Sequence, residues 1–105
     1  MTVSFLTIIR ALRIREIKNT TISIETSAKL SFDNFGDAAD NFFEQPDWEY
    51  SFLTNTVTVS GENKGTEYEL VFKPNDEQMV SKVIVGDKEY EDKTQIDIII
   101  LRMFM

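Results

Sequence analysis

The residues best suited to do something chemically are carboxylates. Asp33, Asp37, Asp40 and Glu44 recur at i, i+4, i+7 and i+11, a spacing that gathers side chains on one side of a helix. Asp47 and Glu49 follow at once and bracket Trp48. Two further pairs, Glu67/Glu69 and Glu89/Glu91, stand at i, i+2, which on a strand turns both members of a pair to the same face.

Three kinds of chemistry suit carboxylates in such arrays. Paired acids can hydrolyse glycosides, but only across a cleft that holds the sugar. Carboxylates can ligate Ca²⁺, but Asp33, Asp37 and Asp40 lack the ligand positions and the glycine of an EF-hand loop. Carboxylates can also dock on a basic surface. An all-acid helix face costs roughly 0.2–0.5 kcal/mol for each i, i+4 pair, so stability alone does not select it. Over 11 residues at the helical rise the stripe is about 16 Å long and imitates a run of phosphates. Against this stands solvation, the ordinary use of surface charge.

Missing residue types narrow the field further. The chain has no Cys and no His. Disulfides, zinc–thiolate sites and thiolate nucleophiles are thereby excluded, as are Ser-His-Asp and Cys-His constellations. No Walker A or GxGxxG pattern occurs. No enzyme activity, metal or other cofactor is expected.

Charge is unevenly spread along the 105 residues, whose net charge is −7. Residues 1–29 carry a net +3, residues 30–63 hold seven acids and no base, and residues 64–105 carry a net −3. An acidic block of this kind repels nucleic acid and attracts basic surfaces. Arg10, Arg13 and Arg15 are too few, and lack the interleaved aromatics, for a nucleic-acid groove; pairing with the chain's own acids is expected instead.

These residues need elements to position them. Ser4 to Lys18 reads as a helix capped by Ser4, with Phe5, Ile8, Ile9 and Leu12 on one face and cations toward its C-terminus; β-branched residues leave a strand over 2–9 as the alternative. Residues 21–32 alternate as a strand. Residues 34–45 form a short acidic helix with Phe35, Ala38, Ala39, Phe42 and Phe43 inward, ended by Pro46. Strand patterns follow at Trp48–Phe52, Thr56–Ser60 and Thr66–Lys73, with Gly61 to Gly65 as a hairpin turn. Met79–Val85 and Lys88–Asp92 form a hairpin around Gly86-Asp87. Ile96 to Leu101 is apolar on both parities and reads as a strand buried on both faces, with a buried helix as the alternative. Such a tail must pack inside the fold or against another copy.

The expected architecture is one α+β domain over residues 1–105: an antiparallel sheet of about five strands, an N-terminal helix and a short acidic helix near residues 34–45. The start of the chain lacks a basic n-region and its apolar run breaks at Arg10, so a cytoplasmic location is expected and no membrane partner. Size and charge together resemble inhibitor and immunity proteins. The expected function is binding to a protein with a basic, nucleic-acid-binding surface through Asp33, Asp37, Asp40, Glu44, Asp47, Trp48 and Glu49, with Trp48 exposed as the anchor. The alternative is a scaffold that forms a homodimer through its apolar C-terminal segment.

Overall fold

The computed structural model describes residues 5–22, 33–74, 76 and 78–104. Helix α1 spans Phe5–Lys18 and helix α2 Phe35–Phe42. Five strands follow: β1 (Asp47–Ser51), β2 (Thr56–Asn63), β3 (Thr66–Phe72), β4 (Val80–Val85) and β5 (Lys88–Tyr90); helix α3 (Lys93–Phe104) comes last. The strands form an antiparallel meander in chain order. The protein is therefore α+β, as the patterning predicts. Ser4, and residues 23–32 of the strand expected over 21–32, lie outside the described residues.

Period-two alternation divides the sheet into a buried face and an open one. Trp48, Val57, Val59, Leu70, Phe72 and Val83 are buried, and all three helices supply side chains to the same core. Phe72 sits at its centre, edge-on to Phe35 at 5.0 Å between ring centroids and stacked on Trp48 at 6.2 Å. Edge-to-face and offset stacking are the favoured aromatic geometries.

The tail is helix α3, not a strand buried on both faces. Ile96, Ile100, Met103 and Phe104 recur at helical spacing and are buried, while Ile98 is 46% exposed. Asp92 starts the helix by accepting the Gln95 N–H at 3.2 Å, an N-terminal bond that β-rich local composition does not advertise. The apolar surface of the segment is thus largely used inside its own fold.

Three boundaries also move. Helix α2 ends at Phe42, before Pro46, because Phe43 turns extended and its ring lies against Gly61, so close that a Cβ there would meet it at 2.8 Å. The side chain of Asn63 donates to the freed Phe42 carbonyl at 2.5 Å. Strand β2 runs through Gly61 to Asn63, and the turn is the two-residue Lys64-Gly65, both with positive φ, the backbone twist that matches a hairpin. Phe52, expected to alternate inward, belongs to the β1–β2 turn and is 60% exposed. Helix α1 forms where expected, but Ile14 and Ile17 are its buried residues, whereas Phe5, Ile8 and Leu12 face outward.

Candidate protein-binding face

The α2 carboxylates do not form one four-membered stripe. Only Asp37 and Asp40 lie on the eight-residue helix. Asp33 precedes the cap and accepts the Ile22 N–H through its backbone carbonyl at 2.9 Å. Asn34 is the N-cap: its Oδ1 accepts the Asp37 N–H at 2.8 Å, and its Nδ2 donates to the Asp37 carboxylate at 3.2 Å. Glu44 lies past the helix end, where its backbone N–H donates to the Glu62 carbonyl at 2.9 Å. That bond stitches the exit from α2 to strand β2 and carries Glu44 away from Asp37 and Asp40.

What Glu44 joins is a second set of acids on the sheet. The register sets Asp47 opposite Ser60, Ser60 opposite Glu69, and Glu62 opposite Glu67. Glu44, Asp47, Glu62, Glu67 and Glu69 line one open groove of about 700 Å³, together with Ser60, Tyr68 and Ile84. Among the described residues, no Lys or Arg lines it. Among the described residues, none of the five carboxylates is within ion-pair distance of a cation; the pairs that form elsewhere are Arg10–Glu49, Arg13–Glu16, Lys82–Glu89, Lys82–Glu91 and Lys93–Asp97. Glu62 and Glu67 directly oppose each other, an arrangement that costs a sheet stability when the charges are alike.

Glu49 points to the same open face but is partly neutralised by Arg10 at 3.8 Å. Arg10 also donates to the Trp48 carbonyl at 2.8 Å, which satisfies an acceptor on the edge strand β1. Arg13 donates to both oxygens of Glu16 at 3.2 Å, and this hydrogen bond, followed by the charge of Glu16 and a contact with Tyr50, raises its pKa further above the ordinary arginine value. Two of the three arginines thus serve the chain's own acids, as expected.

Trp48 is not an exposed anchor. Its ring is buried at 8% exposure, stacked on Phe72, with the Lys18 ammonium 5.2 Å from its centroid on the α1 side. The reason is parity: Asp47 and Glu49 occupy outward positions of β1, so the residue between them must point into the core.

The carboxylates of the groove are spread over three strands and a loop. Among the described residues no three acids converge closely enough to hold a metal ion, so the arrangement presents negative charge rather than a coordination sphere. Nor is any helix among them long and apolar enough to cross a membrane. Comparison with protein-family models, curated proteins and solved structures finds no match to this chain.

Proposed function

We propose that this protein is a binding module of the inhibitor or immunity type, which docks its acidic groove on the basic surface of a nucleic-acid-binding protein. The observation that carries the reading is the convergence of Glu44, Asp47, Glu62, Glu67 and Glu69 on one concavity that no cation lines among the described residues. Carboxylates held at strand spacing on a rigid sheet offer a preorganised negative surface to lysines and arginines that otherwise contact phosphates. Asp37 and Asp40, exposed on α2, extend the field beyond the groove. Trp48 has no part in the contact; its neighbours Asp47 and Glu49 do. The unfavourable Glu62–Glu67 juxtaposition supports the reading, because a sheet selected for stability alone gains by replacing one of the two.

The test is affinity capture from the native lysate with the wild type beside a Glu44→Lys, Asp47→Lys, Glu67→Lys variant. All three side chains are exposed, so the variant is expected to fold. A protein held by the wild type at low salt, lost by the variant, and displaced from its own nucleic acid by added wild type supports the proposal. The same proteins on both baits contradict it.

A further inference from the structure

A second concavity lies on the side of the sheet that faces the helices. Tyr68 shares the parity of buried Leu70, Val85 shares that of buried Val83, and Tyr90 stands opposite Val83 in the register. All three therefore turn toward the helical side. Helix α2 ends there at Phe42, and α3 contributes Ile99, Arg102 and Met103. These seven residues line a cavity of about 270 Å³. Its size falls between the roughly 150 Å³ void that holds benzene and the roughly 300 Å³ at which drug-sized pockets begin.

The walls are aromatic and the rim is cationic. Phe42 and Tyr68 meet edge to face, with centroids 5.0 Å apart and planes at 81°. A third ring can stack on one of them while it abuts the other. Tyr90 adds a further ring, and Met103 a thioether, which also favours aromatic edges. Among the described residues, Arg102 is the one charged group in the lining. It is exposed, and no carboxylate of a described residue lies within ion-pair distance of it. Its neighbours one turn back on α3 are Ile98 and Ile99, so its own helix offers it no acid. The last turn of a helix suits any cation, but that attraction leaves the guanidinium donors open, and their planar fork matches a carboxylate. The hydroxyls of Tyr68 and Tyr90 likewise have no hydrogen-bond partner among the described residues.

We propose that this cavity binds a small aromatic monocarboxylate, its ring against Phe42 and Tyr68 and its carboxylate on the Arg102 guanidinium. The observations select this class feature by feature. The volume admits one ring with a short arm and leaves no room for a long acyl chain. Aromatic walls favour a ring over a saturated chain. One cation matches one negative charge rather than a phosphate dianion. Glu44, Asp47, Glu62, Glu67 and Glu69, which would repel an anion, gather in the groove of the open face. The two concavities share only Tyr68, so this proposal and the acidic docking face can each fail alone.

The probe is phenylacetate, followed through the ¹H–¹⁵N chemical shifts of the full chain. Saturable shifts are expected at Tyr68, Val85, Tyr90 and Arg102, with a dissociation constant in the millimolar range or below, as befits a ligand of about ten non-hydrogen atoms. Phenylacetamide has the same shape without the charge. It is expected to bind at least about tenfold more weakly, the worth of a charge-assisted hydrogen bond. Arg102→Gln changes an exposed side chain, so it is expected to keep the fold and to bring the two probes to equal, weak affinity, whereas Arg102→Lys retains part of the preference. Ile99→Phe fills the cavity and is expected to abolish binding without lowering the melting temperature. Shifts that fail to saturate, or that fall on α1 or the acidic groove instead, overturn the proposal. So do equal affinities of the wild type for the two probes, a phenylacetate affinity unchanged in Arg102→Gln, or undiminished binding by a folded Ile99→Phe.

Discussion

Gly61 joins the core to the groove at a single residue. It lines the acidic concavity on strand β2, and its missing side chain makes room for the ring of Phe43 at the exit of α2. A Cβ would lie 2.8–2.9 Å from Cδ1, Cβ and Cγ of Phe43, which is 2% exposed and has nowhere to go. Gly61→Ala is therefore expected to destabilise the protein by about 1–3 kcal/mol in urea unfolding, the cost of overpacking. Glu67 gives the opposite expectation. Facing Glu62 across the hairpin, it strains the sheet electrostatically, so Glu67→Gln is expected to raise stability by a few tenths of a kcal/mol while weakening partner binding. Trp48, the only tryptophan, reports on burial: its emission is expected at short wavelength, resistant to acrylamide, and unmoved by partner binding. A red-shifted, quenchable emission would return it to the surface.

At the scale of elements, what the sequence reveals depends on whether a rule is local. The β1–β5 alternation, the Gly86-Asp87 turn and the inward Phe35, Ala38 and Ala39 of α2 are all readable from spacing. Helix α2 is shorter than its pattern because a tertiary contact, Phe43 on Gly61 with Asn63 taking the Phe42 carbonyl, competes with its last turn. Ile96 to Leu101 reads as a strand, with a buried helix as the alternative, because it is β-branched and apolar on both parities; the helix forms because propensity yields to packing on the sheet. The groove itself was partly legible. Glu44, Asp47 and the outward Glu67/Glu69 pair stand out in the sequence, but Glu62 does not, because the turn expected over Gly61 to Gly65 is the two-residue Lys64-Gly65, which sets Glu62 opposite Glu67 and Ser60 opposite Glu69. Capping gives the test of the element that remains. Asn34 holds the Asp37 N–H, and Asn34→Ala is expected to cost about 1 kcal/mol. No change on thermal melting would mean that α2 is held by its core contacts alone.

At the scale of the whole molecule, charge and apolar surface are segregated. The helices cover one face of the sheet, and Glu44, Asp47, Glu62, Glu67 and Glu69 gather on the other, while Asp37 and Asp40 stay exposed on α2. Electrostatic docking has its own signature, because the Debye length falls from about 10 Å at 0.1 M salt to about 3 Å at 1 M.

The measurement that bears most directly on the acidic groove is the salt dependence of affinity for the captured partner, taken by calorimetry with the wild type and the Glu44→Lys, Asp47→Lys, Glu67→Lys variant. The expected result is an affinity that falls steadily as salt rises for the wild type, and a weaker, flatter dependence for the folded variant. An affinity indifferent to salt, or equal in the two proteins, would contradict docking through the groove.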